Sequence, residues 1–284
     1  MPWIDVNGVS LRYEVSGRGQ QDLVLLHEMG GCLESWDRVV PHLTQQFRVI
    51  RFDMRGAGMS EKKPTPLAMA DLADDVSGLL THLGVSGPVA LAGCAVGAAL
   101  ALYVAARLPQ RVSGVVAMAP ATGLAPDKKP EVLALAARFE NEGLRDRIVQ
   151  RFPQSYPPHY FEDSAERLQV LGRLLSSDPR AYAAMYRMLC ALDMQADLPR
   201  IGCPVLVLAG QHDTTRPPAS VVKVAELIPN ARFQVIDSGH VMPILTPVAV
   251  AQAILGFLSG PLPSGRATAH CPAQTAHQYR VRGG

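Results

Sequence analysis

The residues that first suggest chemistry lie in a short segment of small side chains, Gly93-Cys94-Ala95-Val96-Gly97. An apolar run typical of a β-strand precedes this segment, and a helical pattern follows it. Strand, tight turn and helix form the setting of the nucleophile elbow, G-x-S-x-G, whose glycines let strand and helix pass close together. The spacing of Gly93 and Gly97 fits this motif. Its central position, however, holds Ala95, whose methyl group cannot act as a nucleophile.

Cys94 offers an alternative nucleophile one residue earlier. That frame would place Ala92 and Val96 where the motif needs small residues, and the branched Val96 fits poorly in a crowded turn. A small buried core cysteine is the simpler interpretation of Cys94, and we favour it.

A carboxylate and an imidazole follow later strands in the order that the motif requires, which is nucleophile, acid, base. Asp213 follows the run VLVLAG and His240 follows FQVI. We predict that Asp213 orients the imidazole and that His240 is the base. We interpret His212 as a loop residue beside the acid and Asp237 as a residue that braces a turn. The run that ends at position 118 is followed by APATG, which offers no alternative carboxylate.

Two backbone amides must face the oxygen that becomes negative during acyl transfer. One belongs to the residue after the nucleophile position, Val96, and we assign the other to Met29 in the loop His27-Glu28-Met29-Gly30-Gly31. The alternative for Met29 is that it lines the pocket, and the two roles are compatible. Glu28 would repel an anionic group near this loop and favour a neutral or cationic one. A hydrogen-bonded loop glutamate without that role is the alternative.

The elements that must position these residues follow from the apolar pattern. Asn7-Gly8 predicts the turn of an N-terminal hairpin over residues 3–15. Continuous apolar runs indicate strands buried on both faces of a mostly parallel sheet, and they alternate with helical patterns, as in α/β folds. These runs are 23–27, 49–52, 88–92, 115–118, 205–208 and 233–236, and the helical patterns are 67–83, 95–108, 219–227 and 248–258.

The alternation is interrupted at 122–199, which is predicted to form a helical cap over one end of the sheet. The α/β core is therefore expected at 1–121 and 200–259, and the tail at 260–284 is expected to be mobile. Aromatic and methionine side chains of the cap are candidates for an apolar substrate pocket. We assign substrate binding to Glu28, Tyr156, Tyr160, Tyr186 and Met188. Ordinary packing of cap against core is the alternative for each.

The composition excludes several classes of protein. The 284 residues are 48% hydrophobic and only 18% charged, with a net charge of +2. This excludes a disordered chain and provides no strong field for nucleic acid or an anionic membrane. Residues 76–106 contain no Asp, Glu, Lys or Arg, and 88–106 is long enough to be considered as a membrane span. A buried strand, elbow and helix explain the same run in a soluble protein.

Five cysteines without a C-x-x-C pair argue against a zinc site or a disulfide framework. The N-terminus lacks a basic segment followed by an apolar one, so no signal peptide is predicted. We expect a cytoplasmic protein with a small-molecule substrate and no cofactor or metal, and we leave a homodimer open.

Together these segments resemble the α/β-hydrolase fold family, and within it the 3-oxoadipate enol-lactonase type of ester and lactone hydrolase. The resemblance covers about residues 3–258 and is specific for fold but weak for substrate. It rests on LVLLHEMGG, FDMRGAGMS, GCAVGAALALYVAARLPQRV, SDPRAYAAMYRMLCALD, PVLVLAGQHDTTRPP and GHVMPILTPVAVAQAILGFL. The chain departs from the family at Ala95 in place of serine, at Glu28 in place of glycine, and at 242–246, which lacks an acidic residue.

The resemblance implies hydrolysis of a small carboxylic ester or lactone by a Ser-His-Asp triad. Ala95 is then interpreted as an inactivating Ser-to-Ala substitution made to trap a substrate. A carbon–carbon bond hydrolase of a diketone-like substrate would use the same triad. A natural pseudoenzyme or small-molecule receptor would keep the pocket without the serine.

Overall fold

A central sheet of eight strands organises the molecule in the computed structural model, which describes residues 2–63 and 66–259. The strands lie in the order β1-β2-β4-β3-β5-β6-β7-β8. Only the pairs β1–β2 and β2–β4 are antiparallel; the other five pairs are parallel. The strands are β1 Trp3–Val6, β2 Val9–Ser16, β3 Gln21–Leu26, β4 Phe47–Phe52, β5 Val89–Cys94, β6 Val112–Met118, β7 Val205–Gly210 and β8 Ala231–Ile236. The predicted α/β class with a mostly parallel sheet is confirmed.

Helices cover both faces of this sheet, as parallel strands require. The helices are α1 Val40–Leu43, α2 Met69–His82, α3 Val96–Arg107, α4 Lys129–Glu142, α5 Arg145–Ser155, α6 Ser164–Leu175, α7 Pro179–Ala191, α8 Pro218–Glu226, α9 Met242–Leu245 and α10 Pro247–Leu258. Buried side chains of α2, α3 and α8 share one apolar cluster, and those of α1 and α10 share another. No helix in the described part of the chain is long and apolar enough to span a membrane.

The continuous apolar runs arise because both faces of the inner strands are buried. In β3, Val24 and Leu26 belong to the cluster on one face, whereas Leu23 and Leu25 belong to the cluster on the other. Successive side chains of a strand point to opposite faces, so burial on both faces removes the polar alternation. A continuous apolar run therefore indicates a strand that has helices on both of its faces.

The edge strand β8 departs from the expected pattern. The run 233–236 predicts a strand buried on both faces, but only Ile236 of β8 is fully buried. The expectation is wrong because β8 pairs with β7 alone and ends the sheet, so that much of its surface faces solvent. The N-terminal hairpin is confirmed: Asn7 and Gly8 have φ of 50° and 74°, as a tight turn between β1 and β2 requires.

Helices α4 to α7 leave the sheet after β6 and return before β7. The two ends of this insertion meet in a β-bridge between Gly123 and Asp193, beside a 3.1 Å hydrogen bond from the Met194 amide to the Thr122 carbonyl. Its helices pack against Val241, Ile244 and Leu245. The insertion therefore covers the loops at the carboxyl ends of the strands. The tail at 260–284 lies outside the described residues.

Candidate active site

The elbow lies where β5 ends and α3 begins. Ala95 has φ 52° and ψ −109°, a conformation that residues with a side chain rarely adopt. Its amide donates to the Met118 carbonyl at 2.8 Å, and its carbonyl accepts from the Ala121 amide at 3.0 Å. Hydrogen bonds to β6 and to the following loop thus hold the strained turn and fix the direction of the side chain at position 95.

Glycine is required on both sides of this turn. A Cβ atom at Gly93 would collide with the backbone of Gly97, and a Cβ atom at Gly97 would collide with the carbonyls of Leu26 and His27. The elbow therefore packs backbone against backbone between β5, α3 and the end of β3. This is the reason for the small residues at the spacing that the sequence shows.

Asp213 and His240 come together at the ends of β7 and β8. Asp213 Oδ2 lies 2.7 Å from His240 Nδ1, and Asp213 Oδ1 accepts from the amides of Thr215 and Arg216, both at 2.8 Å. The Asp213 side chain is completely buried. One carboxylate oxygen is thus fixed by the loop, and the other holds the imidazole so that Nε2 carries the free lone pair.

Two further residues near this pair take structural positions. His212 Nε2 lies 2.9 Å from Asp237 Oδ1 at the exposed rim of the site. Ser238 is buried and accepts a hydrogen bond from Thr246 at 2.8 Å. The contact of His212 with Asp237 links the Asp213 loop to the His240 loop, and the hydrogen bond of Thr246 to Ser238 braces the segment that carries His240.

Cys94 lies immediately behind the histidine. Its Sγ is 3.6 Å from the His240 carbonyl oxygen. Burial, followed by the negative charges of Glu28 and Asp213, raises the pKa of the Cys94 thiol well above its usual value. A buried neutral thiol is a poor nucleophile, which favours the interpretation of Cys94 as a core residue.

The two amides assigned to the oxyanion lie at the ends of β3 and β5. Within residues 2–63 and 66–259, neither the Met29 amide nor the Val96 amide donates a hydrogen bond to the protein. His27 fixes the loop that carries Met29: its Nε2 accepts from the Met54 amide at 3.0 Å, so Nδ1 carries the proton and donates to the Glu28 carbonyl at 2.7 Å. Both amides are therefore left available to a ligand atom.

Glu28 is buried below this loop. One carboxylate oxygen, Oε1, accepts from Ser35 Oγ at 2.9 Å, while Oε2 is buried and has no partner in the described part of the chain. Only 3% of Glu28 is exposed. The hydrogen-bonded and the charge-selecting interpretations of Glu28 both fit this geometry, because one carboxyl oxygen is hydrogen-bonded and the other is unpaired beneath the loop.

A cavity of about 290 Å³ opens above His240. It is lined by Gly239 and His240 from the core and by Gln154, Tyr160 and other residues of the insertion. Of the residues assigned to substrate binding, the structure places Tyr160 here. Met188 instead lines a second cavity of about 480 Å³ with Lys62 and Ala184.

The remaining aromatic candidates lie inside the insertion. Tyr156 stacks on Phe152 with ring centroids 5.1 Å apart. Tyr186 packs at 5.7 Å from both Phe139 and Tyr182. Desolvation raises the pKa values of Tyr156 and Tyr186 above their usual range. Both side chains therefore remain neutral phenols in an apolar setting.

Two further side chains lie near the site: Tyr182, one of the cap aromatics considered for the apolar pocket, and Arg216, which carried no assignment from the sequence. Tyr182 of α7 lies over the oxyanion loop, since a Cβ atom at Gly30 would meet its ring at 2.8 Å. Arg216, three residues after Asp213, has a buried Nε without a partner among the described residues. A cation so close to the acid in D-x-x-R was the available signal for Arg216, whereas the position of Tyr182 depends on how α7 packs.

One group of side chains has the composition of a metal site, namely Cys32, Glu34 and Asp53. Arg12 already neutralises both carboxylates, with distances of 2.6 Å to Glu34 and 2.8 Å to Asp53. Burial raises the pKa of the Cys32 thiol. A neutral thiol and two paired carboxylates do not fit a metal ion.

Known proteins share both the sequence pattern and the fold of this chain. A family model described as alpha/beta hydrolase fold matches residues 23–175, more than half of the chain. The chain is 25% identical to 3-oxoadipate enol-lactonase 2 of Acinetobacter baylyi, over 87% of this chain and 92% of that protein.

Solved structures show the same likeness. The enol-lactonase of Burkholderia xenovorans superposes with a TM-score of 0.85 at 27% identity, covering 91% of this chain and all of that one. A thermophilic esterase of Thermogutta terrifontis has a TM-score of 0.83 at 29% identity, covering 90% of this chain and 97% of that one.

Proposed function

The chain belongs to the alpha/beta hydrolase fold family, and we propose that its site is built for acyl transfer from a small carboxylic ester or lactone to water. The Asp213–His240 pair, 2.7 Å apart beside the elbow, is the observation that carries this proposal. Among its relatives are hydrolases named for enol-lactone and ester substrates. In this proposal a serine belongs at position 95, and Ala95 leaves the site able to bind but not to turn over.

The reaction with a serine at position 95 begins when His240 Nε2 takes the proton of the hydroxyl as the oxygen attacks the carbonyl carbon. Asp213 holds the imidazole in the required tautomer and stabilises its positive charge. The amides of Met29 and Val96 donate to the oxyanion. His240 then protonates the leaving alcohol, and a water molecule that it activates hydrolyses the acyl-enzyme.

Ala95 also supports a second candidate function, a small-molecule receptor that retains the pocket of a hydrolase. Such a protein would bind the same esters but would not hydrolyse them. The elbow, the acid–base pair and the oxyanion amides would then be inherited features. The two candidates differ in what a restored hydroxyl group does.

The test is the variant Ala95→Ser, assayed with p-nitrophenyl acetate, p-nitrophenyl butyrate and δ-valerolactone. We expect kcat/KM to rise by at least ~10³-fold over the chain with Ala95, because loss of a triad nucleophile typically costs that much or more. An Ala95→Ser variant that binds these compounds without hydrolysing them would overturn the hydrolase proposal and favour the receptor. Cleavage of a β-diketone in place of the esters would favour carbon–carbon bond hydrolysis.

The matched control combines Ala95→Ser with His240→Ala. It retains the new hydroxyl but loses the base, so we expect its rate to return to that of the unmodified chain. Equal activity with and without His240 would show that the hydrolysis does not use the proposed base.

A further inference from the structure

The elbow presents to the site a side chain that cannot attack a substrate. Ala95 is 7% exposed, whereas Cys94 beside it is completely buried. The accessible group is a methyl group, and the buried thiol lies behind the histidine, 3.6 Å from its carbonyl oxygen. Neither residue supplies a nucleophile, so the chemistry open to the present chain is the chemistry of its base and its oxyanion amides.

The base has no partner on the side that faces the site. His240 Nδ1 is held by Asp213 at 2.7 Å, and 20% of the His240 side chain is exposed. No hydrogen bond joins His240 Nε2 to any residue in 2–63 and 66–259. In a complete triad the serine hydroxyl occupies this nitrogen. With Ala95 the lone pair of Nε2 is free to take a proton directly from a bound molecule.

The two oxyanion amides are contributed by neighbouring strand ends. Strands β3 and β5 are parallel and pair Leu26 with Gly93, and Met29 and Val96 each lie three residues beyond this pair. A Cβ atom at Gly97 would collide with the carbonyls at the end of β3, so the loop and the elbow are in direct contact. Met29 and Val96 can therefore donate to the same carbonyl oxygen.

The strained turn has a role that does not require a serine. It ends β5 and begins α3, and the amides at the start of a helix have no partner within the helix. The φ of 52° at Ala95 and the 2.8 Å hydrogen bond from its amide to Met118 fix the turn from which the Val96 amide projects. The elbow thus positions an oxyanion donor even when its central side chain is a methyl group.

A base beside two oxyanion donors is the arrangement for removing a proton from the carbon next to a carbonyl group. The proton passes to the imidazole, and the electron pair of the C–H bond forms a C=C bond. The π electrons of the carbonyl group move to its oxygen, which becomes the oxygen of an enolate. This charge lies where the charge of a tetrahedral intermediate would lie, so the same two amides stabilise it.

We propose that the present chain catalyses this proton transfer on a small enolisable ketone, ester or lactone. His240 Nε2 removes the proton, Asp213 stabilises the imidazolium, and the amides of Met29 and Val96 hold the enolate oxygen. The imidazolium exchanges its proton with water and returns one to the same carbon, so no cofactor or second reactant is consumed. The proposal goes beyond the proposed hydrolysis, because it uses the same base and amides but no group at position 95.

The experiment uses the present chain and two small ketones, phenylacetone and 2-butanone, which contain no ester bond. Each ketone is incubated with the protein in deuterated buffer, and the loss of its α-proton signals is followed by proton NMR. We expect exchange to be at least ~10²-fold faster than with His240→Ala, the lower end of what a positioned acid–base group contributes.

Stereochemistry provides a second measure in the same spectra. A single base on one side of the bound ketone removes only one of the two hydrogens of a CH2 group. Exchange catalysed by the protein should therefore stop at one deuterium in this group, whereas exchange by the buffer introduces two.

Asp213→Asn is the second variant, and it serves if His240→Ala does not fold. The new amide group donates to Nδ1, which moves the imidazole proton to Nε2 and removes the base, so we expect exchange to fall at least ~10-fold. The matched control is His42→Ala, which removes an exposed histidine of α1. It should leave the rate and the stereochemistry of exchange unchanged.

Exchange at the buffer rate with both ketones, exchange that survives in His240→Ala, or equal loss of both hydrogens of the CH2 group would each overturn the proposal. Its failure differs from failure of the proposed function, because the two tests use different substrates and different chains. Exchange by the present chain without ester hydrolysis by Ala95→Ser would retain the proton transfer and remove the hydrolase. Hydrolysis by Ala95→Ser without exchange would do the reverse.

Discussion

At the scale of single residues, Ala95 holds a backbone conformation that suits glycine better than alanine. Strain of this kind costs on the order of 1–3 kcal/mol, whereas a glycine loses about 0.5–1 kcal/mol through its freedom in the unfolded chain. We therefore expect Ala95→Gly to raise the free energy of unfolding by about 1 kcal/mol, measured by urea denaturation.

The control for that measurement is Ala98→Gly, within the regular part of α3. It should lower the free energy of unfolding by about 1 kcal/mol or more, since glycine is a poor helix residue. If both glycine variants destabilise the protein equally, the strain at Ala95 is not significant.

Residues at strand ends were accessible from the sequence, and the position of Tyr182 over the oxyanion loop was not. Ala95, Asp213 and His240 each follow an apolar run directly, and the carboxyl ends of parallel strands meet at one edge of a sheet. The ring of Tyr182 reaches the oxyanion loop at Gly30 only through the packing of α7, which is far away in the chain. The pattern of apolar residues carries no information about that contact.

At the scale of elements, two helical glycines are predicted to respond oppositely to the same substitution. Gly97→Ala adds a methyl group against the carbonyls of Leu26 and His27 and should lower the free energy of unfolding by about 1–3 kcal/mol. Gly172→Ala in α6 meets open space and should raise it by ~1 kcal/mol.

Urea denaturation of the two alanine variants measures both effects. Two changes of the same sign would contradict the close approach of α3 to β3. Activity is not needed for this comparison, so it can be made in the chain with Ala95.

The strands could be located from the sequence better than the helices of the insertion. Both faces of β3, β5 and β7 are covered, which leaves an uninterrupted apolar run for each. Helices α4 to α6 are partly exposed and carry few fully buried residues. Their boundaries depend on capping residues and on contacts with each other, so the sequence predicted a helical region without its divisions.

At the scale of the whole molecule, a buried ionic cluster joins the N-terminal hairpin to the parallel sheet. Asp53 accepts from Arg12 of β2 and from the amides of Leu33 and Met59, both at 2.7 Å. We expect Asp53→Asn to lower the free energy of unfolding by ~3 kcal/mol, because it leaves a buried arginine short of its counter-charge.

The comparison for this substitution is Glu142→Gln, which breaks the exposed pair with Arg138. Exposed pairs within a helix contribute only ~0.3–0.5 kcal/mol. Similar losses in the two variants, measured by urea denaturation, would show that the cluster around Asp53 does not tie the hairpin to the sheet.

The bridge between Gly123 and Asp193 has a consequence for how such proteins diversify. The bridge holds the two ends of the insertion together where the chain leaves the sheet and returns to it. The sheet is therefore connected to the insertion at one place, whatever the length of the insertion. Closing a longer or shorter excursion changes the free energy of the chain only slowly with its length. Evolution can therefore exchange the insertion as a module, and with it the selectivity of the protein, without altering the register of a single strand.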